Sequence, residues 1–184
     1  MTTKSCRQCA KPFEPARPLQ AVCSPRCATR HGKAAAAKKK ATERALTRSR
    51  RESLKTIHDR IRETQAAFNS YIRLRDRGLP CICCGKPLGV GEVGGAYDCG
   101  HFRSTGSASH LRFDERNAHV QRKHCNRYGA GRAVDYRAGL IERIGLDAIL
   151  EIEADNRVHK WTHDELIEIK ARYKAKRKEL EVTA

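Results

Sequence analysis

The sequence predicts an α+β protein in which a small metal-stabilised core of short strands is flanked by helices and preceded by a cysteine-rich head and a basic helical arm. Three observations predict this fold. The 184-residue chain has nine cysteines, most of them in close pairs, and apolar residues recur at helical spacing on both sides of a cysteine- and glycine-rich centre. Hydrophobic residues make up only 39% of the chain and aromatic residues 5%. So little apolar material predicts small cores that need more than burial to be stable.

Residues 1–31 predict a zinc-ribbon-like head. They contain Cys6-x2-Cys9 and, after thirteen residues, Cys23-x3-Cys27, and two such knuckles can bring four thiolates into a tetrahedron around zinc. Nine cysteines would indicate disulfides in a secreted protein, but we expect no signal peptide here, so metal is the better explanation. The prolines of the segment favour turns over a long helix. The metal would supply the folding energy that the few apolar residues cannot.

Residues 32–77 predict a basic arm followed by a docking helix. Residues 32–53 are rich in Ala, Lys and Arg and lack an apolar stripe. This predicts either a solvated basic helix that tracks a DNA backbone or a charged, partly disordered linker. Residues 54–77 predict an amphipathic helix that ends at Gly78-Leu79-Pro80. Its apolar stripe consists of Leu54, Ile57, Ile61, Phe68 and Ile72.

Residues 78–132 predict a compact unit of two short strands, a loop and a helix around a second metal. A cysteine knuckle at 81–84 runs into a glycine-rich hairpin or loop that includes Gly89, Gly91, Gly94 and Gly95. The other expected elements are a short strand over 97–102, a turn over 114–117 and a short helix from Gln121 or Lys123.

The zinc site of this central segment is less completely specified than that of the head. Cys81-x2-Cys84 supplies one half of it, and Cys125 lies on a second segment that can supply the other half. Cys83, between the knuckle cysteines, is expected to be spare. The fourth ligand stays open among three residues, which are His124, His119 and Cys99.

Residues 133–184 predict three helices. The first runs from Asp135 to Ile144 and stops at Gly145, and the second covers residues 146–154. Thr162 and Glu165 form a capping box that opens the third. The apolar seam of this helix consists of Leu166, Ile169, Tyr173 and Leu180. Its opposite face is basic, which indicates either a DNA contact or a solvated surface.

Charge indicates the partner. Lys and Arg number 38 against 21 Asp and Glu, which gives a formal net charge of +17 and an isoelectric point near 9.9. A field of that sign attracts polyanions and releases counterions from a phosphate backbone, so nucleic acid is the expected partner. A membrane surface is the alternative, but no apolar run approaches the ~18 residues that span a bilayer. We therefore expect a cytoplasmic, DNA-associated protein without a membrane partner.

Four blocks of the central segment resemble the NinG/Rap family of lambdoid phage recombination proteins. The blocks are Cys81-Ile-Cys-Cys84-Gly, Asp98-Cys-Gly-His101-Phe-Arg-Ser-Thr105, Leu111-Arg-Phe-Asp-Glu-Arg-Asn117-Ala-His119 and Cys125-Asn126. The resemblance extends to the head, the arm and the C-terminal helices. It implies a structure-specific endonuclease that acts on branched DNA such as Holliday junctions and D-loops. The His, Asn, Asn series is also similar to HNH, or His-Me finger, nucleases, which implies a ββα-metal core.

The resemblance implies a role for each member of that series. His101 would be the general base that takes a proton from the attacking water, which an imidazole with a pKa near ~6.5 can do at cytoplasmic pH. Asn117 would fix the loop that orients His101. Asn126 would ligate a divalent ion, Mg²⁺ or alternatively Mn²⁺, that stabilises the leaving oxygen. Asp98 is the nearest carboxylate and a candidate second ligand.

The chain departs from the family's pattern at two positions. Many HNH proteins have an acidic residue directly before the base, where this chain has Gly100. Asp98 stands three residues before His101 and would point to the opposite face of a regular strand. Family members commonly have the pattern Cys-x2-Cys-Asn in the second half of the zinc site. In this chain Arg122 replaces the first of those two cysteines. For that reason the fourth zinc ligand stays open.

The expected DNA contacts are basic residues of the central segment. A guanidinium matches phosphate geometry bidentately, which favours arginine for this role. The expected contacts are Arg103 and Arg112 as phosphate clamps, together with Arg122, Lys123 and Arg127. Recognition should depend on shape and charge, so binding should weaken steeply with salt. Symmetric cutting of a junction needs two active sites, and a homodimer on DNA is therefore a candidate assembly.

Two functions fit these features. The first is a metal-dependent phosphodiesterase that cuts branched DNA. The second is a non-catalytic, zinc-dependent protein that binds branched DNA as a recombination accessory. The series His101, Asn117 and Asn126 separates the two functions, because a pure binder would not need it.

Overall fold

The computed structural model describes residues 3–88 and 97–182. The chain divides into two compact units, Met1–Lys55 and Thr56–Ala184. The glycine-rich hairpin or loop expected after the central knuckle lies mostly outside the described residues. The α+β class is confirmed, since short strand pairs combine with five α-helices among the described residues.

The first unit consists of a small head and one long helix. Strand β1 (Lys4–Ser5) pairs antiparallel with β2 (Pro12–Phe13), and helix α1 spans Pro25–Ser53. The helix therefore begins inside the segment for which the prolines predicted only turns. Ser24 accepts a hydrogen bond from the backbone N–H of Cys27 and caps the helix, and Pro25 is the first helical residue. Proline is favourable there, because that position has no N–H partner within the helix.

Helix α1 is stabilised by its own sequence rather than by packing. None of its residues is buried, and its composition is dominated by alanine, lysine and arginine, which are strong helix formers. Of the two expectations for this segment, the solvated basic helix agrees with the structure and the partly disordered linker does not.

The largest core of the second unit lies between two helices and one face of a strand pair. Helix α2 (Ile57–Arg75) begins at a capping box of Thr56 and Asp59, and helix α5 (His163–Val182) begins after the expected box of Thr162 and Glu165. Their apolar stripes meet, although Leu54 of the predicted stripe lies outside α2 and is exposed. The buried cluster consists of Phe68, Tyr71, Ile72, Cys99, Phe113, Ala118, Leu166, Ile169 and Tyr173.

The central strand pair is followed by a wide helical turn. Strand β3 (Tyr97–His101) pairs antiparallel with β4 (Ala118–Arg122), with Cys99 opposite Val120. Gln121 thus lies in a strand, and the short helix expected near it is instead a single π-type turn over His124–Tyr128. Two short 3₁₀ turns, Ser109–Leu111 and Glu115–Asn117, lie in the connection between the strands.

A second small core holds the central knuckle against the next two helices. Helix α3 spans Ala133–Ile144 and α4 spans Leu146–Ala154, and Gly145 between them has a φ of +84°, a conformation that favours glycine. The core contains Ile82, Tyr136, Leu140 and Ile149. Helix α3 approaches the knuckle so closely that a Cβ at Gly139 would lie 1.8 Å from the carbonyl oxygen of Ile82. Across residues 3–88 and 97–182, no helix is both long enough and apolar enough to cross a bilayer.

Candidate functional site

The four thiols of the head have the spacing of a zinc site. The sulfurs of Cys6, Cys9, Cys23 and Cys27 all lie within 4.8 Å of one another. Those of Cys9 and Cys23 are 3.7 Å apart, and those of Cys23 and Cys27 are 3.6 Å apart. Tetrahedral zinc with Zn–S bonds of about 2.3 Å requires sulfurs roughly 3.8 Å apart. The head can therefore hold zinc through the ligands predicted from the sequence.

The backbone of the head favours thiolates. Burial opposes the charge of Cys6, but the backbone N–H groups of Cys23, Cys9 and Gln8 lower the pKa of its thiol to about 6. The adjacent thiols of Cys27 and Cys9 raise the pKa of Cys23 to about 12, because such close sulfurs cannot all carry negative charge. A bound divalent cation would remove that conflict.

The central cluster contains two of the expected ligands, Cys81 and Cys125, and one thiol expected to be spare. The sulfurs of Cys81, Cys83 and Cys125 lie within 4.8 Å of one another, and those of Cys81 and Cys83 are 3.6 Å apart. Cys84, an expected ligand, lies outside this group, although its thiol influences the pKa values of Cys81 and Cys125. Cys83, expected to be spare, thus belongs to the cluster. The tight knuckle turn, closed by a hydrogen bond from the N–H of Gly85 to the carbonyl of Cys81, brings it there.

Of the three residues considered for the fourth ligand, His124 lies nearest the cysteines, because it lines a cleft together with Cys84 and Cys125. His124 is exposed on the π-type turn, where its ring packs near Tyr128. His119 contacts Arg75 and Asp76 beside the end of α2. Cys99 is buried in the main core, and burial raises the pKa of its thiol to about 12. The three grouped sulfurs are those of Cys81, Cys83 and Cys125, and Cys84 and His124 line the cleft beside Cys125.

The backbone stabilises the Cys81 thiolate as it does that of Cys6. The N–H of Arg122 donates to the sulfur of Cys81 over 3.3 Å. Burial opposes the charge, but the N–H groups of Arg122, Cys84 and Cys83 lower the pKa of Cys81 to about 7. The position where family members have a further cysteine therefore contributes a backbone donor to the site.

His101 is held in one tautomer. It is the last residue of β3, and its Nε2 lies 3.1 Å from the carbonyl oxygen of Arg112. A carbonyl can only accept, so Nε2 carries the proton and the lone pair of the neutral ring is on Nδ1. Burial lowers the pKa of His101, which keeps the ring neutral near pH 7. The ring also packs against Phe68 of α2, with centroids 5.9 Å apart.

Asn117 joins the two ends of the loop around His101. Its fully buried side chain accepts from the N–H of Arg103 over 2.8 Å. It donates to the carbonyls of Arg103 and Leu111 over 3.0 and 3.1 Å. Leu111 directly precedes Arg112, whose carbonyl holds the imidazole. The positioning role of Asn117 stays a prediction, and these contacts are the means by which it would act.

Asp98 and Asn126 form a separate cluster with Arg127. The side-chain amide of Asn126 donates to Asp98 over 3.1 Å, and Arg127 forms a bidentate pair with the same carboxylate over 2.8 and 3.1 Å. Burial opposes the charge of Asp98, but Arg127 and Asn126 lower its pKa. One carboxylate and one amide oxygen are hard ligands of the kind that Mg²⁺ or Mn²⁺ binds, with water and substrate phosphate as further ligands.

Asp98 and His101 lie on opposite faces of β3. Cys99 and His101 face the core on the α2 side, whereas Asp98 meets the turn that follows β4. No hydrogen bond, ion pair or ring contact of the described residues joins His101 to Asn126. The structure thus fixes the candidate base and the candidate ion ligands separately.

Arg103 and Arg112 are engaged within the fold, so a role as phosphate clamps, which stays a prediction, would require them to give up these contacts. The guanidinium of Arg103 donates to the carbonyls of Ile152 and Glu153, at the C-terminal end of α4, where helix carbonyls lack internal partners. The guanidinium of Arg112 donates to Gln65 and to the carbonyl of Thr105. Both arginines therefore stabilise the fold.

The other expected DNA contacts lie closer to the cysteine cluster. Arg122 lines a cleft of about 290 Å³ together with Lys86, His124, Arg132, Cys84 and Cys125. Lys123 is half-buried beside it, and Arg127 is exposed although paired with Asp98. The cleft brings basic side chains together beside Cys84 and Cys125, so its charge suits a phosphate backbone.

The chain is similar to a family of bacteriophage proteins. The family model described as Bacteriophage Lambda NinG protein matches residues 1–182. The chain belongs to the NinG family. It is 41% identical over 188 residues to Protein ninG of Salmonella phage P22 and 39% identical over 188 residues to Protein ninG of Escherichia phage lambda, with 94% of this chain and 90% of each relative covered. Protein ninG of Escherichia phage 933W is 38% identical over 196 residues, with 96% of this chain and 93% of the relative covered.

The family assignment confirms the resemblance found in the sequence, and it extends over both structural units. No solved structure matches this NinG-family chain. The arrangement of its cysteine clusters and of the His101 loop is therefore drawn from its own structure alone.

Proposed function

We propose that this NinG-family chain is a metal-dependent endonuclease that acts on branched DNA during recombination, with His101 as general base. The observation that carries the proposal is the hydrogen bond between Nε2 of His101 and the carbonyl of Arg112. It leaves Nδ1 as the only basic nitrogen of the ring. The strand pair β3–β4 followed by a helical turn supports an HNH-like core.

In this proposal, His101 takes a proton from water through Nδ1 as the water attacks phosphorus. Asn117 keeps the supporting carbonyl in place by pinning Arg103 and Leu111. A neutral, fixed imidazole does not have to shed a proton or reorient before it acts, which favours general-base catalysis near neutral pH.

Asp98 and Asn126 would hold the divalent ion, which stabilises negative charge on the leaving oxygen when bound. Asp98 and His101 lie on opposite faces of β3, so the scissile phosphate would have to reach both faces at this end of the strand. Three residues along a strand span roughly 10 Å. An in-line series of base, water, phosphorus, leaving oxygen and ion spans roughly the same distance. A base and an ion on either side of the scissile phosphorus therefore need not touch.

The alternative function is a zinc-dependent branched-DNA binder without catalysis. The pairing of Asp98 with both Asn126 and Arg127 favours it, because an ion there must compete with a bidentate guanidinium. The charge of +17 and the exposed basic helix α1 serve both functions equally.

Cleavage of a four-way DNA junction in Mg²⁺ separates the two functions. We expect wild type to cut and His101→Ala to cut about 10²–10⁴-fold more slowly, the usual effect of losing a general base. Junction affinity, measured without Mg²⁺, should be unchanged. The control is His163→Ala, which removes an exposed imidazole from α5. If His101→Ala cuts as fast as wild type, the base assignment is wrong, and if wild type itself does not cut, the binder is correct.

A further inference from the structure

A buried polar cluster lies at the end of α2, outside both cysteine clusters. Asp76 is 2% exposed and accepts hydrogen bonds from Nε of Arg75 over 2.6 Å and from the backbone N–H of Val120 over 3.0 Å. Nδ1 of His119 lies 3.4 Å from the same carboxylate, and Nη1 of Arg143 lies 3.6 Å from it. Burial opposes the charge, but His119 and Arg75 hold the pKa of Asp76 well below its usual range.

Two donors of this cluster have no hydrogen-bond acceptor, although one of them, Nη1 of Arg143, forms the 3.6 Å ion pair with Asp76. Nη2 of Arg75 lies 3.1 Å from Nδ1 of His119, and since a guanidinium can only donate, Nδ1 accepts and Nε2 carries the proton. A protonated ring would also donate from Nε2. This Nε2 is buried and has no hydrogen-bond partner among residues 3–88 and 97–182, and the same holds for Nη1 of Arg143. Buried donors without partners are rare in native proteins and call for an explanation.

Both donors belong to residues that line one cleft of about 320 Å³. The carboxylates in its lining already have partners, because Asp76 is paired as above and Glu115 accepts from the hydroxyl of Tyr71 and from Lys176. Arg116 lines the open side, where it pairs with Asp114 and Glu151 while about half its side chain stays exposed. The groups of the cleft that lack a hydrogen-bond partner are therefore donors, Nε2 of His119 and Nη1 of Arg143, and they favour an anion as ligand.

We propose that this cleft binds a phosphate group, with Nε2 of His119 and Nη1 of Arg143 as the inner donors and Arg116 at the mouth. Phosphate oxygens accept several charge-assisted hydrogen bonds at once and match a guanidinium in geometry. DNA supplies such groups both within its backbone and at its 5′ ends, and the charge of the chain attracts it. The inference goes beyond cleavage by His101 and does not require it.

Titration of the zinc-loaded full-length protein with inorganic phosphate tests the site. The ring-nitrogen resonances of His119 should shift saturably. Arg143→Gln should weaken phosphate binding about tenfold, the effect of losing one charge-assisted hydrogen bond. Arg137→Gln is the matched control, since Arg137 lies on the same helix but pairs with Glu153. If Arg143→Gln fails to fold, Arg116→Gln, at an exposed position, should weaken binding about threefold.

Two oligonucleotides of one sequence, with and without a 5′-phosphate, identify the source of the group. If the phosphorylated strand binds more tightly and Arg143→Gln abolishes this difference, the cleft binds a 5′ end. If Arg143→Gln weakens the binding of both strands equally, the cleft binds the backbone. A His119 resonance that does not move, or equal weakening by Arg137→Gln and Arg143→Gln, overturns the proposal. His101→Ala should leave phosphate binding unchanged, so failure of the proposed cleavage and failure of this site are distinguishable.

Discussion

Replacing Asn117 with alanine should destabilise the second unit by about 3 kcal/mol. Its side chain makes three hydrogen bonds of 2.8, 3.0 and 3.1 Å, all to backbone groups of Arg103 and Leu111. Because Asn117 is fully buried, water cannot replace these bonds. A buried group left without its partner costs about 1 kcal/mol or more, and three such groups give the total.

Urea unfolding followed by tryptophan fluorescence measures this loss. Trp161 is the only tryptophan of the chain. It donates to the carbonyl of Ser109 and packs against Phe113, so it reports on the second unit. The control is Asn156→Ala, because Asn156 is exposed, accepts one hydrogen bond from Arg103 and should contribute about 1 kcal/mol or less. A loss below about 1 kcal/mol for Asn117→Ala, or an equal loss for the control, would refute the reasoning.

Asn117→Asp keeps the hydrogen-bond acceptor of the side chain and removes its donor. The carboxylate keeps an acceptor for the N–H of Arg103 but faces the carbonyls of Arg103 and Leu111 without a donor. We therefore expect it to be no more stable than Asn117→Ala. Any junction cleavage should fall further than the folded fraction in both variants, since the loop that holds His101 is loosened.

The remaining predictions concern packing, metal and pH. Gly139→Ala should lower the free energy of unfolding by about 1–3 kcal/mol, although alanine is the better helix former, because the carbonyl of Ile82 must shift. Gly32→Ala is the control. Its Cβ would meet nothing within 4 Å, so this variant should raise the helix content measured by circular dichroism. Cys83→Ser should remove one of two zinc ions per chain after competition with a chelator, whereas a spare thiol would leave both. The cleavage rate should fall on acidification only below about pH 6.5, because burial lowers the pKa of His101 and protonation removes the base. A single-turnover pH profile in which the rate already falls with decreasing pH above pH 7 would contradict this.

Local signals in the sequence predicted the helices well. Helix α4 spans the predicted Leu146–Ala154, and the capping box of Thr162 and Glu165 opens α5 as expected. These features depend on residues within one turn of each other. Helix α1 begins at Pro25 rather than at the predicted residue 32, although the signal for its start is equally local. Ser24 caps the helix and makes the proline after it a favourable first residue.

The arrangement of the site depended on contacts that no local pattern contains. Cys83 joins the central cluster because of the way the knuckle meets Cys125, 42 positions later in the chain. Arg103 was expected to contact phosphate, but its guanidinium donates to carbonyls at the end of α4, about 50 residues further along the chain. Asp76 carried no motif at all, and only the return of β4 past the end of α2 makes it the centre of a buried cluster.

Chemical rescue of a His101→Gly variant tests the central claim most directly. Junction cleavage in Mg²⁺ should be lost in the variant and restored by added imidazole in a saturable way, with a pH dependence that follows the added base. His163→Gly should neither lose activity nor respond to imidazole. A His101→Gly variant that cuts at the wild-type rate without imidazole would contradict the account.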